Sequence, residues 1–406
     1  MNREISVPSR STITLDFVDG DLIVGSHSLV RGTGSPATVK VSGTVYCEND
    51  VTFECNLSAA NLDAEDTVTV RGDLSLEGDV DISDGRLEVY GKMVADHIDV
   101  DEALYVRDDL AAEKVDVGGS VHVDGKVKAE DIDVGGSFRA KGEVETEKVD
   151  VGGSMITESK VNITSLDVGG TARVNGGKIR EIDVGGSFES TAPLEFENID
   201  VGGVVRLSGK NKGGDIEVGG AIKVEGDLVF SSIDVGGKVD IAGSGEGGRV
   251  EVGGKVDVSG SLRLSESLDV GGKAYVGGEV TTRSIEVGGV LHAKKAVVET
   301  RVEVGGVIDT QEGVTASYVE IGKRGEAHGP IRADEVVIGK DADVEDVFGK
   351  RIFLRSGARA TNIYGETVII ESHCNISGEI RYISRLSIAD NVSLSKPPQK
   401  VDKLPF

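Results

Sequence analysis

A four-residue word, DVGG or EVGG, recurs through the middle of this 406-residue chain at a nearly constant interval. Its valines are Val117, Val134, Val151, Val168, Val184, Val201, Val218, Val235, Val252, Val270, Val287 and Val304, and the steps between them are 17 residues nine times, 16 once and 18 once. A short, constant period is the signature of a solenoid, in which each repeat packs on its neighbours and no repeat builds a core alone. The length of the chain therefore does not translate into two or three globular domains, as it otherwise would.

Within each period runs a second rhythm. Val115, Val121, Val127, Ile132, Phe138, Val144 and Val149 lie five or six residues apart, and most have an apolar or small residue two positions on, as in Val117, Val123, Ala129, Val134 and Ala140. Alternation at i and i+2 marks a strand with one buried face. Three such strands of 6, 6 and 5 residues close one triangular coil. The rhythm begins well before the first DVGG, at Val39, Val45, Val51, Leu57 and Leu62. It continues beyond the last VGG through Val336/Ile338, then along Val347, Ile363 and Ile380 and along Val344, Ala360, Ile376 and Val392. The expected fold is all-β: one long parallel β-helix of about 17 residues per triangular coil. Some 22 coils at about 4.8 Å spacing would make a rod about 100 Å long.

Composition agrees with thin layers rather than thick globular packing: no Trp, 4% aromatic residues and 57 glycines. The paired glycines read as corners, where the backbone turns with φ > 0 and neighbouring coils approach closely. A phosphate-cradling loop would need a following helix and a Lys or Ser at fixed spacing, and neither is there. The net charge of −26 excludes a generic nucleic-acid surface. Cys47, Cys55 and Cys374 form neither a zinc pattern nor a disulfide framework, which suits a reducing compartment. With no signal-peptide pattern at the N-terminus and no long apolar run, the expectation is a cytoplasmic protein.

The residue before each repeated valine points outward and is acidic: Asp116, Asp133, Asp150, Asp167, Asp183, Asp200, Glu217, Asp234, Glu251, Asp269, Glu286, Glu303 and Glu320. Stacked about 5 Å apart, neighbouring carboxylates repel by roughly 0.8 kcal/mol in water before screening, and no matching lysine column stands out. Three readings stay open. The column is a solvated face that prevents sideways sheet association. Or it binds divalent cations, with Asp116, Asp133, Asp150, Asp167, Asp183 and Asp200 as weak metal candidates. Or it docks a basic partner.

The chain divides into a flexible N-terminal tail (1–12), less regular coils (13–112), the regular DVGG/EVGG array (113–322), C-terminal coils (323–394) and a proline-containing tail (395–406). The last eleven residues, KPPQKVDKLPF, read as unable to continue a strand ladder. From 323 to 406 there are 13 Lys/Arg and 12 Asp/Glu, net +1; the preceding residues hold 31 against 58, net −27. This quarter reads either as a less regular end of the solenoid with a mixed-charge surface or as an assembly or docking end, with Phe348, Phe353, Ile363, Tyr364, Ile380, Tyr382, Ile388 and Leu394 as its candidate interface. The stretch VEDVFGKRIFLRSGARATNIYGETVIIESHCNISGEIRYISRLSIADNVSL, Val344 to Leu394, resembles the bactofilins, the polymer-forming cytoskeletal proteins. Bactofilins usually carry a single β-helical domain of about a hundred residues, and this chain is several times longer. The resemblance implies a right-handed β-helix that polymerises without nucleotide through its terminal coils. It also implies a scaffold at a membrane or envelope, with no catalytic residues to carry over.

Enzyme readings find little support. His27, His97, His122, His292, His328 and His373 are scattered; His122 and His292 share an outward position but lie 170 residues apart, too far to share a metal. The irregular stretches near Arg31–Ala37 and Gly209–Gly214 lack paired carboxylates. The leading expectation is a non-catalytic homopolymer without cofactor, nucleic acid or small-molecule substrate, with membrane- or envelope-associated proteins as further partners. The alternative is a cell-surface or secreted binding rod.

Overall fold

The computed structural model describes residues 3–404; Met1, Asn2, Pro405 and Phe406, at the extremes of the two expected tails, lie outside the described residues. The fold is a parallel β-solenoid of about 23 turns with a spacing near 17 residues between coils, 66% strand and without a helix among the described residues. The chain forms two compact units, 1–202 and 203–406, a division that falls inside the regular repeat.

In the first unit one turn consists of strands Lys114–Val117, Ser120–Val123 and Val127–Lys128. Each pairs in parallel with its equivalent in the next turn: Val117 with Val134, Val123 with Ala140, Val127 with Val144. The alternation dictates which side chains go in. Val100, Val117, Val134, Val151, Val168, Val184 and Val201 are all fully buried, stacked along one column so that each valine packs on the one before and the one after. The second unit repeats this plan. Val218, Val235, Val252, Val270, Val287 and Val304 form the equivalent column, and strands lengthen to 15 residues where corners straighten, as in Lys273–Val287 and Val290–Val304.

Of the two causes expected for the glycine pairs, the close approach of neighbouring turns holds and the left-handed φ does not. None of these glycines has a φ in the left-handed region. What excludes a side chain is the preceding turn. A Cβ at Gly169 would lie 2.5 Å from the carbonyl oxygen of Gly152, one at Gly185 2.5 Å from that of Gly169, and one at Gly253 2.7 Å from that of Gly236. The corner also carries the ladder around the bend, Gly152 N–H donating to the Val134 carbonyl and Gly153 N–H to the Gly136 carbonyl, both at 2.9 Å. Positive φ occurs elsewhere, at other glycines such as Gly20, Gly85 and Gly209 and at corners built mostly of non-glycine residues: Arg10, His27 and Asp50 in the first unit, and Arg324, Asp341, Gly357, His373 and Asn391 in the second. These corners also pair with the next turn, as when Arg10 N–H donates to the Ser26 carbonyl and Arg324 N–H to the Lys340 carbonyl.

Both irregular stretches are small detours. Thr33–Gly34 folds back on Ala37–Val41 as the one antiparallel pairing among the described strands, and the turn there lengthens so that Leu22 pairs with Val45. Near Gly209, the buried Asn211 takes an inward position, and its amide donates to the carbonyls of Ser208 and Gly209.

Both expected tails take part in the ladder. Arg3–Val7 pairs with Gly20–Val24 over five residues. Gln399–Lys400 pairs with Arg381–Tyr382 despite the neighbouring prolines, Val401 N–H donates to the Tyr382 carbonyl, and Leu404 is buried. The prolines precede the paired residues, so no ladder donor is lost there. The column through Val344, Ala360 and Ile376 ends at Leu394, not Val392, because the last turn is 18 residues long.

A methyl group at Gly169 has no room without shifting the backbone of the turn before it. Gly169→Ala is expected to cost on the order of 1–3 kcal/mol, read as a lower urea midpoint. Thr171→Ala on the same corner, where the side chain is exposed, should leave the midpoint unchanged within error.

Candidate functional site: the acidic column and the terminal turns

The thirteen predicted carboxylates fall into register within each unit. In the first unit the column is longer than the motif indicates: Asp63, Asp81, Asp99, Asp116, Asp133, Asp150, Asp167, Asp183 and Asp200 pair rung to rung. Its first three members escape a search for DVGG because no glycine pair follows them; the register of the valine and leucine rhythm would have found them. In the second unit the column runs from Glu217 through Asp234, Glu251, Asp269, Glu286 and Glu303 to Glu320.

Burial between neighbouring strands, reinforced by the charges of adjacent rungs, raises the carboxyls of Asp99, Asp133 and Asp167 above the ordinary aspartate value. Some counter-charge is present, contrary to expectation, two residues earlier in four of the strands, at Lys114, Lys148, Arg249 and Arg301. Lys114 lies 3.2 Å from Asp116, Lys148 lowers Asp133 and Asp167, Arg249 is 3.9 Å from Glu251, and Arg301 contacts both Glu303 and Glu320. Tyr318 donates to Glu320 at 2.6 Å, and burial followed by that bond pushes the phenol up to about 12. The relief is partial, since the same position holds Asp131, Ser165 and Glu181 in other turns.

A second outward column of the first unit is balanced by contrast. Asp73, Lys92, Asp109, Lys126 and Glu143 alternate in sign, with Lys92–Asp109 and Lys126–Glu143 both at 2.9 Å. Here the carboxylates also accept corner amides, Asp73 from Lys92 N–H and Asp109 from Lys126 N–H. Asp124 sits among Lys141 at 2.7 Å, His122 at 2.9 Å and Arg107 at 3.4 Å, and the Lys141 hydrogen bond above all lowers its carboxyl to about 2.

The acidic column lines its carboxylates up without making them converge. Among the described residues no group of three or more His, Cys, Asp or Glu is arranged to hold a metal ion; Asp116, Asp133, Asp150, Asp167, Asp183 and Asp200 lie rung above rung along one face. The histidines are dispersed over the surface and most face carboxylates, His97 with Asp79 at 2.8 Å and His292 with Asp309 at 3.0 Å. The three thiols are buried and free, and burial pushes each of them up.

The eight predicted assembly residues separate into three groups. Ile363 and Ile380 are core, covered on both sides. Phe348 and Tyr364 stack with centroids 4.9 Å apart on a lateral face, between Arg332 over Phe348 and Arg381 over Tyr364. Phe353 is also lateral: the column that is acidic up to Glu320 continues as Val337, Phe353, Ile369 and Ser387. Tyr382, Ile388 and Leu394 belong to the last turns, where inward-facing residues lose their cover. Leu386 and Leu394 are half-buried and Ile388 is 38% exposed. Five of the thirteen basic residues of this quarter are paired within the chain: Lys350 to Asp334, Arg351 to Glu335, Arg355 to Glu371, Arg359 to Asp343 and Arg381 to Glu379.

No family model matches this chain, and no curated protein or solved structure does.

The electrostatics give a signed expectation. A carboxyl with a raised folded pKa adds stability as pH falls through that pKa, so Asp99, Asp133 and Asp167 favour mild acid; Asp124 acts oppositely, its contribution complete above the ordinary value of 3.8 and lost towards about 2. The urea midpoint should rise as the pH is lowered from 7 towards the ordinary aspartate value of 3.8 and fall from there towards about 2, where Asp124 protonates. Asp133→Asn should raise the neutral-pH unfolding free energy by about 0.3–0.5 kcal/mol, the scale of a screened surface charge pair, seen as a higher urea midpoint, and 1 M salt should erase most of that gain. A midpoint that falls steadily from pH 7 would remove the repulsive column from the account.

Proposed function

We propose that this chain is a non-catalytic scaffold that self-associates through its terminal turns, in the manner that the resemblance to bactofilins implies. One observation carries the reading. The last turn repeats the inward pattern of the core but leaves Leu386, Ile388 and Leu394 part-exposed, on strands whose outer edge has no partner from Ser384 to Ile388 among the described residues. An apolar strand edge of this kind is a template for another chain. The first turn is similar, with Ile5, Ile13 and Leu15 half-buried and Arg3–Val7 paired on one side. No nucleotide, cofactor or small-molecule substrate enters this function. The acidic column acts in it as a repulsive flank that keeps assembled chains from merging sideways. A cytoplasmic pool with attachment to membrane or envelope partners fits the same reading.

The test is negative-stain electron microscopy and sedimentation velocity of the untagged protein, with Ile388→Arg beside it. Ile380 is the wrong residue for this purpose, because at 1% exposure a charge there would unfold the neighbouring turns. The wild-type protein is expected to form assemblies many subunits long. Ile388→Arg is expected to be folded by circular dichroism and to sediment at least tenfold smaller in mass. A wild-type protein that stays monomeric at high concentration would overturn the proposal.

A further inference from the structure

We infer that the joint is polar and in register: the first turn of one copy stacks on the last turn of the next, with Arg3–Val7 extending the column that ends in Arg385–Ile388. This inference rests on the self-association reading and specifies its partner surface. Three observations support it. First, the strand columns match. In the first unit Arg3–Val7 heads the column that leads to the DVGG strands, through Gly20–Val24, Thr44–Cys47 and Asn61–Ala64. In the second unit Arg385–Ile388 ends the column that contains the EVGG strands, through Thr367–Ile370, Arg351–Leu354, Glu335–Ile338 and Tyr318–Ile321. Thr12–Thr14 and Ser393–Leu394 likewise belong to the strand that follows the glycine corner.

Second, the inward and outward positions agree. With Leu386 over Ile5 and Ile388 over Val7, each half-covered apolar residue of the last turn meets an inward residue of the first; Leu394 then falls over Ile13. A slip of one residue would turn every side chain to the wrong face. Third, the charges agree. The same register sets Glu4 beside Arg385, both exposed and both without an ion-pair partner among the described residues.

Nearly all pairings in both units are parallel, and a head-to-tail joint continues that pattern; a joint between two like ends would need antiparallel pairing. The third side of the triangle contributes least. There Phe17–Val18 would meet Gln399–Lys400, where Pro397 and Pro398 lack donors and Lys400 is charged at an inward position. Two of three columns carry the joint.

Cross-linking tests the register. In it Ser6 lies beside Ser387, both outward, with Cα atoms about 4.8 Å apart, inside the range a disulfide spans. Ser6→Cys and Ser387→Cys chains are oxidised alone and mixed, with wild type as control, its own cysteines being buried. The expected result is at least a tenfold excess of covalent dimer in the mixture over either variant alone, with the 6–387 link identified by peptide mass spectrometry. Dimers from either variant alone would overturn the polarity and leave self-association standing. No link in any sample, while sedimentation shows assemblies, would overturn the register. No link and monomers throughout would overturn both readings.

Discussion

Parallel pairing between successive turns is the interaction on which everything else in this protein depends. A single turn buries few, modest side chains and leaves all its backbone groups unpaired along both edges. It gains cover for its valines and partners for its amides only from the turns before and after it. Hence the near-constant period: a repeat that lengthens must either return to register within one turn, as the detour at Thr33–Gly34 does, or break the column.

The same constraint explains the side chains that make the repeat conspicuous. Valine recurs because a β-branched residue of constant volume stacks on itself at strand spacing without a change in cross-section. Phe230 shows the cost of departing from that volume: its ring fills the space where a Cβ on Gly247 of the next turn would be. Glycine recurs at the corner because the preceding turn's carbonyl occupies the place of its Cβ. Like residues also stack outside, and this produces two opposite electrostatic outcomes on one scaffold. The alternating column of Asp73 to Glu143 satisfies itself, whereas the Asp63 to Asp200 column accumulates charge that only scattered cations offset.

The periodicity that stabilises the middle also leaves the ends unfinished. At Leu386, Ile388 and Leu394 the pattern of the core is kept while the neighbour that would cover it is missing among the described residues. Completion by a second copy uses the chemistry already present in every internal turn, which is why self-association is the most economical reading of these ends. The aromatic pair Phe348–Tyr364, held between Arg332 and Arg381, stays on the lateral face and stabilises the last turns from outside.

What the sequence determined by itself was the period, the strand count per turn and the inward column, because a solenoid's contacts are local and each valine in the text finds its partner seventeen residues on. All thirteen carboxylates of the motif were legible for the same reason. The tertiary structure decided what depends on a neighbouring turn of different sequence. It showed that the glycines answer a carbonyl and not a positive φ, that Lys114, Arg249 and Arg301 reach the acidic column from two residues earlier, and that Asp63, Asp81 and Asp99 extend it. It also separated Ile363 and Ile380, which lie inside the stack, from Ile388 and Leu394, which lie at its end. Sequence spacing places a residue within a turn, but the cover over that turn belongs to whatever lies next to it.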